Sequence, residues 1–438
     1  MHPMVKPALR RAWRNMRYVQ FGVTPAHAVV LGPVDTTTGS LIGLLDGTRG
    51  MELLRAEAAA LGLPEGRLDA LLARLAAAGL IADASVRPPG GPPGGPDGRD
   101  DGDPGGRADP ALDPVRADLA SLSVVHRAPD GAARALAARR SLRVQVRGAG
   151  RVGAAVAALL SAAGVGRVEV LDAGTVAPWE VSPGGLPPES VGERRAVAAR
   201  RLVTRTAPGG RPPRRARSGD GNGERIWGRD GGRGGGQGGG AGGGGGGRGG
   251  GRSGGRSGGG GEGGGGGGGG EAGVALVVVA PRDGLGAYVP DPLPAEAWIA
   301  TGTPHLYAGV LEATGVVGPL VLPGGTACAG CMQRELAERE PVWPRLPAQW
   351  RSGRPHPLPA CDVTLATAVA GLAAAHALAF LDGDLPSSTG ARWEVSLPLL
   401  GWRSAPVRAH PACPCGARRG DEGEHATEAR AAHDTMAG

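Results

Sequence analysis

The sequence predicts an α/β protein: a small α+β domain of winged-helix proportions, then a Rossmann-like nucleotide-binding domain with a four-cysteine zinc-like site and a long glycine-rich insertion. Three observations carry that expectation. Residues 147–172, RGAGRVGAAVAALLSAAGVGRVEVLD, put Gly148, Gly150 and Gly153 in G-x-G-x-x-G order, with Asp172 closing the β-branched run that follows. Cys328 and Cys331 form one close pair, and Cys413 and Cys415 form a second near the far end of the same region. Residues 17–84 have a periodicity of their own and end where proline, glycine and aspartate take over.

In chain order, residues 17–31 (RYVQFGVTPAHAVVL) predict two short strands broken by Gly22 and Pro25. Helical patterns follow over 36–46, 51–61 and 65–80. In the last, Leu68, Leu71, Leu72, Leu75 and Leu80 fall largely on one face, and the β-like LIAD closes a domain spanning 1–84. Residues 85–113 have nothing to bury and are expected to be a disordered linker.

The larger domain, 114–416, starts with a helical lead-in, then a strand at 142–147, the glycine turn, a helix over 151–163, a strand at 167–171 and a helix over 189–206. From 208 to 272 the chain is overwhelmingly glycine with scattered arginine, a composition that cannot offset its own ordering entropy. VALVVVA (274–280) then suits a buried parallel strand. HLYAGVL, ATGVVGPLVLP, the cysteine-rich turn, an alanine-rich helix and a final β pair at 391–399 and 402–408 follow. The tail, 417–438, is expected to be disordered.

Bulk properties exclude several classes. The formal charge is +7, but no basic helix or stacking platform accompanies it, and Trp227 is the only aromatic in the glycine tract, so nucleic acid is not the expected partner. The N-terminus lacks the apolar stretch of an export signal. Residues 361–381 are long enough to span a bilayer, but Asp362, His376, two threonines and many alanines fit a buried core helix, so no membrane is expected as a partner. A cytoplasmic, reducing location follows, in which five cysteines favour thiols or metal ligands over disulfides.

Each motif points to a chemistry. Gly148 permits a tight strand-to-helix turn, Gly150 lets backbone amides approach a phosphate, Gly153 lets the helix pack on the strand, and Asp172 is placed to bond a ribose. On its own the fingerprint also fits NAD and an oxidoreductase. The four cysteines, as two chelating pairs, are the ligand set of a structural Zn2+. Cys361, left over before an apolar helix, is expected to be a buried thiol. No paired carboxylates, Ser-His-Asp set or P-loop is evident.

Together, RGAGRVGAAVAALLSAAGVGRVEVLDAGTV, GERRAVAARRL, the apolar strand and the paired cysteines resemble the ThiF/MoeB group related to ubiquitin-activating enzymes. GVVGPLVLPGGTACAGC, EREPVWP and HPACPCG look more narrowly like actinobacterial ThiF-like proteins of thiazole/oxazole-modified peptide pathways. The resemblance implies ATP and Mg2+ in place of NAD, adenylation of a peptide or carrier-protein carboxylate, and an N-terminal peptide-binding winged helix. Carried onto this chain, it puts Gly148, Gly150 and Gly153 under the phosphates, Asp172 on the ribose, and Arg195 and Asp283 in the catalytic roles.

The pattern also departs from the family. Gly174 stands where a second aspartate is usual, Pro183 where an arginine is usual, Arg195 where a lysine is usual, and Arg282 where the metal-binding aspartate is usual; Asp283 substitutes only after a one-residue slip. Two functions therefore stand side by side. One is an ATP-dependent adenylyltransferase. The other is a degenerate subunit that binds a leader peptide as an added β-strand and presents it to a cyclodehydratase. A second copy of the chain is a further candidate partner, because relatives in this group are often dimers.

Overall fold

The computed structural model describes residues 1–86, 113–208, 273–352 and 358–417. The linker, glycine-rich insertion and tail expected from the sequence lie outside those residues, apart from their end positions.

In the N-terminal part, alternation sets the sheet. Val19 and Phe21 point inward from β3 (Tyr18–Phe21), which pairs antiparallel with β2 (Arg11–Asn15) on one side and β4 (Val29–Leu31) on the other. They meet Leu41, Leu54, Leu68, Leu71, Leu72 and Leu75 from α1 (Thr36–Leu44), α2 (Met51–Ala60) and α3 (Arg67–Ala77) in a separate core. Asp35 caps α1 by accepting from the Thr38 N–H at 2.7 Å. A second small sheet joins β1 (Pro3–Val5) to β5 (Ile81–Asp83). Strands β1 and β2 were not expected from the sequence. Lys6, at the end of β1, is buried, and its Nζ donates to the carbonyl oxygens of His126 (2.9 Å) and Arg127 (3.4 Å) beyond α4 (Arg116–Val125).

A seven-stranded mixed sheet organises the rest, in the order β12-β11-β10-β9-β8-β6-β7. After α5 (Gly131–Ser141), β6 (Arg143–Arg147) leads into α6 (Arg151–Ala162) and then β7 (Arg167–Leu171), matching the expected elements within a residue. The next helix, α7 (Arg195–Thr206), starts later than expected: residues 188–190 form a separate 3-10 turn, and Gly192 has a φ of 84° that interrupts the helix.

On the far side of the insertion, β8 (Leu276–Val279) pairs parallel with β6 and with β9 (His305–Leu311). Helices α8 (Leu285–Tyr288) and α9 (Pro292–Ala300) lie between them. Strands β9, β10 (Thr314–Val321), β11 (Ala391–Ser396) and β12 (Arg403–Pro406) continue antiparallel. Helices α10 (Ala329–Arg339), α11 (Arg345–Ser352) and α12 (Val363–Leu381) separate β10 from β11.

Leu276 and Val278 face a core shared with α6 and α12, while Val277 faces Ala295 and Trp298 of α9, so β8 is covered on both sides. Helix α12 is the one described helix long and apolar enough to cross a membrane, and it packs against α6, β9 and β10. This arrangement leaves the carboxyl ends of β6 and β8 side by side, where open α/β sheets place ligands.

Candidate functional site

The glycine turn joins β6 to α6, and steric necessity accounts for two of its glycines. Gly148 has a φ of 112°, and a Cβ there would lie 1.9 Å from the Ala280 carbonyl oxygen beyond β8. A Cβ on Gly153 would lie 2.1 Å from the Gly148 carbonyl oxygen, so its absence lets α6 pack onto the turn. Gly150 has a different neighbour. Its missing Cβ faces the Cα and Cγ of Arg282, each 3.2 Å away.

Asp172 is buried and turns back on the same loop, where its Oδ2 accepts from the Ala149 N–H at 2.7 Å. Its Oδ1 lies 3.6 Å from Arg282 Nε and 4.0 Å from Arg195 Nη1. Arg195, at the first position of α7, donates from Nε to Glu180 Oε2 (2.8 Å) and from Nη1 to the Ala173 carbonyl oxygen (2.6 Å). A Cβ on Gly174 would come within 2.8 Å of that same Nη1, so the small residue makes room for the guanidinium. Glu180 completes the group by accepting from the Ala177 N–H at 2.8 Å and lying 3.4 Å from Arg282 Nη1. Two carboxylates thus meet two guanidiniums, and the charges balance without an outside ion.

Asp283 is elsewhere: it accepts from the Leu285 N–H at the start of α8 and does not line the cavity at the turn. That cavity measures about 180 Å³ and is lined by Gly150, Arg151, Trp179, Glu180, Arg282 and Cys361, among others. Arg151 Nη1 donates to the Cys361 carbonyl oxygen at 2.6 Å, and burial pushes the Cys361 thiol up from its ordinary value. Small-molecule pockets usually run to about 300–1,000 Å³. In this arrangement Arg282 lies over Gly150, and both carboxylates are engaged by the protein's own groups. The sequence motif missed Glu180, because only the fold brings it to Arg195.

The cysteines do come together. Cys328 is the N-cap of α10 and Cys331 lies in its first turn, while Cys413 and Cys415 arrive from the chain beyond β12. The Sγ atoms are 3.9 Å apart for Cys328–Cys331, 3.6 Å for Cys328–Cys413 and 3.5 Å for Cys331–Cys415, and all four lie within 4.8 Å of one another. A tetrahedral ion with Zn–S bonds of about 2.3 Å needs sulfurs about 3.8 Å apart, and all five cysteines are free thiols, so the set fits a Zn2+. The Cys328 thiol hydrogen-bonds Cys331 and holds it toward the thiolate, the form a metal binds. Gly330 lies between them, where a Cβ would be 3.1 Å from Cys413 Sγ.

Behind the cluster, the Tyr307 hydroxyl and the His305 Nε2 are buried with no hydrogen-bond partner. Burial pushes the Tyr307 hydroxyl up and holds the His305 imidazole down to about 4, the latter opposed by its contact with the Thr303 carbonyl oxygen.

The sequence profile of the ThiF family matches residues 127–216 and 290–415. No curated protein matches the sequence. Among solved structures, the fold resembles E. coli MccB crystallised with succinimide, at a TM-score of 0.58 and 12% identity over 96% of this chain and 100% of that one. MccB has also been solved with ATP, at a TM-score of 0.56 and 13% identity over 95% of this chain and 99% of that one. The heterocyclase TruD gives a TM-score of 0.51 and 15% identity over 95% of this chain but 43% of its own.

Proposed function

The chain carries a ThiF-family domain, and from that premise we propose that it is a peptide-recognition subunit of a peptide-modifying system, not an adenylating enzyme. Its N-terminal domain, residues 1–84, takes up a precursor or leader peptide as an added strand on the three-stranded sheet β2-β3-β4. The ThiF-family body presents that peptide to a partner cyclodehydratase, in a cytoplasmic setting that keeps the thiols reduced. The occurrence of a heterocyclase, TruD, among proteins of similar fold supports this choice of partner.

One observation carries the reading: Arg282 covers Gly150 and shares Asp172 and Glu180 with Arg195, so the charges that would meet a nucleotide and its Mg2+ meet each other instead. The four cysteines have a structural part. Zn2+ held by four thiolates keeps no open position for water, so it ties the chain beyond β12 to the start of α10 and does no chemistry of its own. An adenylyltransferase acting on a peptide or carrier-protein carboxylate is the second reading. It is favoured by the retained glycines and Asp172, and by the 46% exposure of the Arg282 side chain, which leaves it free to move. A homodimer is compatible with either.

The test uses the full chain and a synthetic candidate precursor peptide. Hydrogen-exchange protection confined to residues 1–84 on adding the peptide, with no ATP-pyrophosphate exchange and no thermal shift from Mg2+-ATP, supports recognition. Peptide-dependent pyrophosphate exchange, with protection at 147–153, establishes adenylation and removes the first reading.

A further inference from the structure

Lys6 is the only lysine in the chain; the other basic residues among its 48 lysines and arginines are all arginine. It is 1% exposed and meets no carboxylate among the described residues. A buried ammonium loses its hydration, and here only hydrogen bonds replace it. Burial, and after it the neighbouring Arg127 guanidinium, hold Lys6 below the ordinary lysine range. The backbone of Lys6 belongs to the N-terminal domain, where its N–H donates to the Leu80 carbonyl oxygen at 2.9 Å. Its side chain leaves that domain. The two carbonyl oxygens that accept from Nζ, those of His126 and Arg127, lie at the C-terminal end of α4, the negative end of the helix dipole.

Two further contacts reach the same short segment. Gly79, just past the end of α3 with a φ of 74°, has the Arg127 side chain against it, and a Cβ there would lie 2.9 Å from Arg127 Cγ. The Asp83 N–H, at the end of β5, donates to the Pro129 carbonyl oxygen at 3.4 Å. Residues 126–129 lie between α4 and α5, and α5 is itself fixed in the body, because its buried Arg139 pairs with Asp382 beyond α12 at 2.6 Å. We propose that Lys6 is the bolt that docks the N-terminal domain on the ThiF-family body at residues 126–129, so that a peptide held by the domain is presented in one orientation. The use of the dock rests on the peptide-recognition reading, but the dock itself belongs to the free chain. A compact ammonium suits the position, because one group serves the carbonyls of two consecutive residues and adds a positive charge at a helix C-terminus.

The test uses the full chain without peptide. Because Lys6 is the only lysine, amine-selective acetylation followed by peptide mass mapping reads its exposure directly, with the N-terminal amine as an internal standard. In the folded wild type Lys6 is expected to react at least about ten-fold more slowly than in the urea-unfolded chain. Reaction at the unfolded rate overturns the proposal. Lys6→Met, which keeps the length and removes the charge, is then compared with the wild type by hydrogen exchange. Faster exchange at 79–84 and 122–131, with unchanged exchange at 19–21 and 68–75, is the expected result, because the domain then undocks without unfolding. No change at 122–131 overturns the dock. A rise throughout 1–84, its core included, shows that Lys6 serves only its own domain and overturns the dock as well. Neither measurement contains peptide, so failure here removes the dock and leaves peptide recognition standing, whereas absent peptide protection in 1–84 removes recognition and leaves the dock.

Discussion

Arg282 rests on Gly150, its Cα and Cγ each 3.2 Å from the point where a side chain on that glycine would begin. The contact crosses from the carboxyl end of β8 to that of β6, and the arginine continues to Asp172 and Glu180. Arg195 reaches the same two carboxylates from a buried position, nearer to Glu180 (2.8 Å against 3.4 Å) and farther from Asp172 (4.0 Å against 3.6 Å).

That difference predicts unequal costs. Arg195→Ala leaves the buried Glu180 without its 2.8 Å partner and is expected to destabilise the fold by about 3–5 kcal/mol, because a buried charge then goes uncompensated. Arg282→Ala removes a half-exposed side chain whose carboxylate contacts are 3.4 Å and 3.6 Å, and is expected to cost about 1 kcal/mol or less. Urea midpoints measure both. Equal losses, or a larger loss at Arg282, would contradict the assignment of Arg195 as the main counter-charge.

The three glycines of the turn are also expected to differ. Gly148→Ala and Gly153→Ala each drive a Cβ into a backbone carbonyl that cannot move, so each is expected to lower stability by about 2–4 kcal/mol. Gly150→Ala meets the Arg282 Cα and Cγ at 3.2 Å, a tight contact but far short of the overlaps at the other two glycines, and a loss of about 1 kcal/mol is expected. Differential scanning calorimetry of the three variants ranks them. A Gly150 variant as damaged as the other two would mean that the chain at Arg282 cannot shift by the few tenths of an ångström the new Cβ requires.

The turn, its flanking strands and the cysteine pairs were legible in the sequence because each depends on local spacing. Strand β2 was not, because its five residues, Arg11–Asn15, are all exposed and show no alternation between apolar and polar. Helix α9 has a local signal, Asp291 followed by Pro292, and in the fold Asp291 accepts from the Leu293 N–H to cap it. The role of Arg282 could not be read at all. It lies 110 positions from Asp172, and only the parallel pairing of β6 with both β7 and β8 brings them together.

Metal content gives a further test. Protein purified without chelator is expected to hold about one zinc per chain, and prolonged dialysis against a strong chelator to lower the melting temperature, since binding free energy at a four-thiolate site is folding free energy. Cys413→Ser is expected to bring both the metal content and the melting temperature down together, because Cys413 lies 3.6 Å from Cys328 and connects the chain beyond β12 to α10. Elemental analysis near zero for the wild type, with an unchanged melting temperature after chelation, would show that the four thiols pack without an ion.

His305 sets a pH dependence that can be isolated from the metal. Its imidazole is buried between Trp298 and Tyr307, with ring centroids 5.1 Å and 5.6 Å away, and burial holds it down to about 4 from an ordinary 6.5. The unfolded chain therefore takes up a proton at a pH where the folded chain does not. Stability is full above about 6.5 and falls as the pH drops toward 4, by about 2–3 kcal/mol in all for this one group. Thiolate protonation and zinc loss push in the same direction, so the wild-type curve alone does not assign the effect. His305→Gln keeps a polar side chain that does not titrate, and the difference in unfolding free energy between the two proteins should shrink steadily from pH 7 to pH 4.5. A difference that stays constant across that range would show that His305 is protonated in the folded state as readily as in the unfolded one.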